Sequence, residues 1–186
     1  MGLTPHGEAL RRSGAKPGDA LYVSGPLGSA GLGLKMCLNT TSSTDPSAIH
    51  ALELPEPRIE LGMTLRGLAS ACIDISDGLA QDLGHILTAS HVGATIEYDR
   101  LPLTASVRQH IADSDDWPLP LTAGDDYELC FTVTPDKVGQ LETRLAEKRL
   151  TATCIGRIES DAGLRIHRND HTHTFKATGY DHFAQR

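Results

Sequence analysis

Two short segments of this chain gather acidic side chains where a strand must give way to a turn. The first is Asp74-Ile75-Ser76-Asp77-Gly78-Leu79. Side chains alternate along a strand, so Ile73 and Ile75 are expected on one face while Asp74 and Ser76 occupy the other. Asp77-Gly78 then turns the chain into a helix. Two carboxylates and a hydroxyl are thereby placed at one strand end, beside the positive end of a helix dipole. That setting suits Mg2+, which takes one or two carboxylates and completes its shell with phosphate oxygens and water. A plainer role is open for part of the segment, since Ser76 or Asp77 could simply cap the helix. A cap leaves Asp74 unexplained, at a strand position where an apolar residue or Thr is the ordinary choice.

The second segment is Gly124-Asp125-Asp126-Tyr127-Glu128-Leu129, in which a glycine turn carries adjacent acids into a strand. A turn with solvated acids and a ligand-binding loop both fit that pattern. Gly179-Tyr180-Asp181-His182-Phe183 puts two aromatics close to the C-terminus. They either dock onto the core or offer a ring that stacks on a ligand. Arg11-Arg12-Ser13-Gly14-Ala15 is either ordinary surface or a guanidinium aimed at phosphate.

The elements that must hold these segments can be read from periodicity. Ala20–Val23 reads as a strand, followed by a glycine turn and a helix through Leu32, Leu34 and Cys37. Residues 39–47 read as a polar loop. Pro57 fits the first turn of a helix with Leu61, Leu65 and Leu68 on one stripe. Strands are expected at 71–76, 94–98, 127–133, 153–158 and 164–167. Helices are expected from Leu79 through Leu87, over 104–112, and after Thr134-Pro135 with Val138, Leu141 and Leu145 inward. Helices and strands alternate without a strict βαβ rhythm. The expected fold is α+β, a single mixed or antiparallel sheet with helices packed on one side.

The 186 residues carry 17 Lys and Arg against 24 Asp and Glu, a net charge of −7, and only 4% aromatics. No basic run or interleaved aromatic patch is present, which argues against nucleic acid or an anionic membrane as partner. An acidic chain that handles phosphate must bring positive charge locally, through a metal, one Arg or a helix end. Cys37, Cys72, Cys130 and Cys154 lie far apart among apolar residues, as expected of reduced thiols in a cytoplasmic protein. No apolar run is long enough to span a bilayer.

Other motifs fail on detail. Gly28, Gly31 and Gly33 do not form GxGxxG, and no GK[ST] follows. Asp113-Ser114-Asp115-Asp116 has Pro118 where a calcium loop needs glycine. His167, His171 and His173 fall in a polar tail that reads as a solvated loop rather than a zinc site.

Taken in order, Arg12-Ser13-Gly14-Ala15, Pro55-Glu56-Pro57-Arg58, Asp74 to Leu79, Gly124 to Leu129 and Gly179 to Phe183 resemble the C-terminal half of the thiamine-monophosphate kinase family. That family groups with the aminoimidazole ribonucleotide synthetase-like proteins, whose C-terminal domain is α+β. The resemblance implies that Asp74 and Asp77 hold Mg2+, that Ser76 and Arg12 contact ATP, and that Asp125 and Tyr180 bind thiamine monophosphate. It implies phosphoryl transfer from ATP to the acceptor's phosphate, and a homodimer in the intact enzyme. On this reading residues 1–19 lead in from an N-terminal domain that the chain lacks, residues 20–186 form the C-terminal domain, and the chain alone is inactive. A binding module without catalysis, or a related synthetase-like enzyme acting on another phosphorylated metabolite, is the competing expectation.

Overall fold

A computed structural model describes residues 4–175. One seven-stranded sheet runs in the order β2-β4-β1-β5-β3-β6-β7. Its strands are β1 (Ala20–Val23), β2 (Ala69–Asp74), β3 (Gly93–Glu97), β4 (Leu129–Val133), β5 (Thr153–Glu159), β6 (Gly163–Arg168) and β7 (His171–Phe175). Only β3 and β6 pair in parallel, and the other neighbours are antiparallel, so the sheet is mixed as expected.

The helices are α1 (Ser29–Cys37), α2 (Pro46–Glu53), α3 (Ile59–Thr64), α4 (Leu79–Ser90), α5 (Ala105–Ser114), α6 (Leu119–Thr122) and α7 (Val138–Lys148). They cover both faces of the sheet rather than one. Leu21, Val23, Ile73 and Cys130 turn toward Leu79, Leu83, Ile86 and Leu87 of α4. Tyr22, Cys72, Phe131 and Val133 turn the other way, onto Leu61 of α3 and Leu141 and Leu145 of α7. This explains why β1 reads as an unbroken apolar run and why even Thr132 of β4 is buried. A strand buried on both faces has no solvent side to mark with polar residues.

Two elements differ from the sequence expectation. Part of the polar loop at 39–47 opens α2, where Pro46 takes the first helical position and the Asp45 side chain accepts the Ser47 N–H at 2.9 Å. The His-rich tail is a hairpin. Asn169 and Asp170, with φ of 49° and 61°, form a tight two-residue turn that returns β7 along β6. Its strand is polar because β7 is an outer strand with a solvent edge. Among the described residues no three His, Cys, Asp or Glu side chains converge as a metal cage.

Residues 10–15 carry no regular element but run beside β2, the other outer strand. The Arg11 carbonyl accepts the Cys72 N–H at 2.7 Å, and the amides of Gly14 and Ala15 donate to Ser90 Oγ at 3.1 and 3.2 Å. The segment thus covers an edge that would otherwise expose unpaired backbone groups.

Candidate active site

The first acidic segment lies where alternation predicts. Asp74 is exposed at the end of β2, while Ile73 and Ile75 are buried. The second segment is laid against it. Ile75 N donates to Glu128 O at 2.7 Å, Tyr127 N to Ile75 O at 2.9 Å, and Asp125 N to Ser76 O at 3.0 Å. The β2–β4 ladder is therefore prolonged past both strands, and it brings Asp74, Ser76, Asp77 and Asp125 to one end of the sheet. Two glycines permit the approach. A Cβ on Gly124 would collide with the Ser76 carbonyl oxygen, and one on Gly78 would stand 2.9 Å from the Thr122 carbonyl. Gly78 also has a φ of 106°, which strains any side-chain-bearing residue.

Neither Ser76 nor Asp77 caps α4. The N-cap is Gly78, which makes no side-chain bond. The turn is instead fastened from inside the helix, by a residue the sequence reading does not single out. Asp82 Oδ2 accepts the N–H groups of both Ser76 and Asp77 at 2.9 Å. Burial pushes the Asp82 carboxyl above its usual range, opposed by those two N–H groups and reinforced by the nearby charges of Asp77 and Asp74. Gln81 Nε2 reaches Asp77 Oδ2 at 3.3 Å.

In the second segment the acids divide. Asp125 points out to solvent, in a left-handed conformation with φ of 64°. Asp126 turns inward and accepts N–H groups from Gly28 at 2.7 Å and Ala30 at 3.3 Å, at the start of α1. Burial pushes its carboxyl up to about 7, despite those two donors. Glu128 is buried and held by Arg58 through two parallel bonds of 2.8 and 2.7 Å, with Ser24 Oγ as a further donor. Two of the acids that composition alone would leave in water are therefore structural. Arg58 could have been suspected from the Pro-Glu-Pro-Arg segment, but nothing in the sequence pairs it with a residue 70 positions away.

The remaining candidates lie elsewhere. Arg12 is exposed beside the middle of β2, and among the described residues its side chain forms no ion pair or hydrogen bond with Asp74, Ser76 or Asp77. Tyr180 lies outside the described residues. Next to Asp125 a cavity of about 360 Å³ opens between α1, α6 and the 122–125 turn, walled by Leu34, Leu38, Leu52 and Leu119.

The donor set fits a hard divalent cation. Among the described residues no Lys or Arg pairs with Asp74, Asp77 or Asp125. Exposed and half-buried carboxylates left without a cation from those residues, on a turn fixed at backbone level, are what Mg2+ uses when phosphate and water supply its other oxygens.

Comparison with known proteins agrees with this architecture. The family model for AIR synthase related protein, C-terminal domain, matches residues 16–169. The thiamine-monophosphate kinase of Salmonella typhimurium (strain LT2) is 43% identical over 188 residues, covering 98% of this chain and 58% of that protein. The crystal structure of thiamine-monophosphate kinase from Stenotrophomonas maltophilia K279a superposes with a TM-score of 0.78 at 38% identity, covering 86% of this chain and 53% of that one. The structure of AaThiL complexed with AMPPCP and TMP superposes with a TM-score of 0.77 at 28% identity, covering 94% of this chain and 54% of that one. The chain thus spans little more than half the length of the relatives it matches. With strands β1 to β6 and the acidic turn inside the matched region, the chain belongs to the AIR synthase related protein family, as a C-terminal domain of that family.

Proposed function

We propose that this chain acts as the C-terminal part of a thiamine-monophosphate kinase, which passes the γ-phosphoryl group of ATP to the phosphate of thiamine monophosphate. The observation that carries the reading is the backbone-fixed turn at Asp74–Asp77, with carboxylates that no Lys or Arg among the described residues neutralises. The likeness to thiamine-monophosphate kinases over nearly the whole chain supports it.

Asp74 and Asp77 would hold Mg2+, which neutralises phosphate charge when bound. Ser76, with its N–H already taken by Asp82, has a hydroxyl that no described residue bonds and that would meet a nucleotide phosphate. Arg12 would reach the nucleotide from the edge of β2, which its long side chain and exposure allow. The acceptor is already an anionic oxygen, so this chain need not supply a strong base, and positioning carries most of the work. Asp125 would stand at the mouth of the apolar cavity and meet a cationic heterocycle, with Tyr180 offering a ring to the same acceptor. Residues 1–19 are read as the approach from an N-terminal domain, the intact enzyme as a cytoplasmic homodimer.

Thiamine diphosphate formation tests the reading, measured with the chain joined to the N-terminal part of such a relative. Turnover should require Mg2+ and fall at least tenfold in Asp74→Asn and Asp77→Asn. Unchanged turnover in both variants would sink the assignment. Calorimetric binding of Mg·ATP without any turnover in the joined protein would favour a binding module instead.

A further inference from the structure

The first turn of α4 carries two side chains whose bonds are spent on the acidic turn and not on the helix. An ordinary N-cap side chain satisfies amides inside the first turn of its own helix. Here the direction is reversed. Asp82, in the first turn and almost fully buried, reaches back past the glycine N-cap to the amides of Ser76 and Asp77. A single oxygen accepts both, so the two peptide planes are fixed relative to each other.

Gln81 acts on the side chain where Asp82 acts on the backbone. Its Nε2 donates to Asp77 Oδ2 at 3.3 Å. The amide cannot be the other way round, because its oxygen would then face a carboxylate. The consequence is that Oε1 is buried without a hydrogen-bond partner among the described residues. Leaving a buried acceptor unpaired is unfavourable, so the bond to Asp77 is made at a cost to the fold. Placing Asp74, Asp77 and the buried Asp82 close together also crowds negative charge, which a divalent cation offsets.

We infer that Gln81 and Asp82 are positioning residues for a divalent cation held by Asp74 and Asp77. Asp82 sets the backbone of the turn, while Gln81 aims the Asp77 carboxylate. The inference rests on the cation reading of Asp74 and Asp77 given above. It adds two residues that neither touch the nucleotide nor ligate the ion.

The test uses Mn2+ as probe, titrated into the chain with ADP and followed by water proton relaxation, which separates the protein-bound ion from Mn·ADP. Asp74→Asn is the control for the site and should weaken binding by roughly tenfold or more. Asp82→Ala should weaken it by about tenfold, and Asp82→Asn should stay within about threefold of the parent, because the Asn oxygen still accepts both amides. Gln81→Leu should weaken binding by roughly three- to tenfold while its melting temperature is unchanged or higher, since it removes a buried unpaired oxygen. A merely structural role would move affinity and stability together. Amide hydrogen exchange at Ser76 and Asp77 should speed up in Asp82→Ala and not in Gln81→Leu. If Asp82→Ala does not fold, Gln81→Leu decides. Parental affinity in Gln81→Leu and Asp82→Ala, with loss in Asp74→Asn, overturns this inference and leaves the site standing. Equal binding by the parent and Asp74→Asn overturns the cation reading, and this inference with it.

Discussion

The Asp126 carboxylate caps α1 across 98 residues of sequence, taking the Gly28 N–H at 2.7 Å. The bond ties the loop that carries Asp125 to the helix that walls the neighbouring cavity. It also stores a pH dependence. Folded, Asp126 keeps its proton up to about 7. Unfolded, it loses that proton near 4. Between these values the folded chain binds more protons at this position, so stability contributed here is present below about 4 and lost as pH rises toward 7. Asp126→Asn keeps an acceptor for Gly28 and cannot ionise. It should match the parent near pH 4 and exceed it above pH 7, by on the order of 1–3 kcal/mol. Urea unfolding at pH 4.5 and pH 8 measures the difference, and a gap that stays constant with pH would contradict it.

Arg58 and Glu128 should behave as one unit. The Glu128 side chain is only 5% exposed and Arg58 closes over it with two bonds. Removing the guanidinium leaves a buried carboxylate uncompensated, at a cost of about 3 kcal/mol. Arg58→Met should therefore lower stability by that order, and Arg58→Met with Glu128→Gln should lose less than the sum of the single changes. A double-mutant cycle by denaturant unfolding reads the coupling. Additive losses would mean that Ser24, rather than Arg58, satisfies Glu128.

Gly124→Ala probes how closely the two acidic segments must approach. The new methyl group would meet a backbone carbonyl, that of Ser76, which cannot swing aside as a side chain does. The cost should be about 2 kcal/mol or more, with Mn2+ affinity reduced because the displaced carbonyl belongs to the turn that holds Asp77. Gly139→Ala is the control, since a Cβ there meets nothing within 4 Å, and it should be neutral or slightly stabilising in the first turn of α7.

How much of this was legible follows from where the information sits. Strand alternation was enough to turn Asp74 out and Ile73 and Ile75 in, because Asp74 closes β2, where the cover over the face that holds Cys72 ends. The same rule says nothing about which faces carry helices when the strand is Ala20–Val23, which is apolar throughout. That is why α3 and α7 were not assigned to the second face. Asp45-Pro46 was a readable helix start inside a segment whose Ser and Thr content suggested a loop. Asp82 and Glu128 were not readable as partners. Each makes its decisive bond to a turn or a strand end that only the folded sheet brings near, and an acid in a helix or strand looks the same whether it faces water or a peptide group.

The last expectation concerns how the two acidic segments share the work in an enzyme completed with its N-terminal part. They are joined by three backbone hydrogen bonds, Asp125 N to Ser76 O at 3.0 Å among them, yet their carboxylates face different tasks in the proposed reaction. Asp74→Asn removes a negative oxygen from the proposed cation site, so it should lower kcat and raise the Mg2+ requirement, with acceptor KM nearly unchanged. Asp125→Asn should raise acceptor KM roughly two- to fivefold, the scale of one exposed charge, and leave Mg·ATP almost untouched. Tyr180→Ala should add to the same side. Thiamine carries a flat cationic ring system, and an aromatic face attracts it by ~1–2 kcal/mol when desolvated, or roughly a five- to thirtyfold rise in acceptor KM. Paired titrations of acceptor and Mg·ATP on the three variants make the comparison. If Asp74→Asn and Asp125→Asn depress the same parameter to the same extent, the backbone bond between Asp125 and Ser76 matters more than either carboxylate. The two segments would then act as a single structural unit rather than as separate nucleotide and acceptor sides.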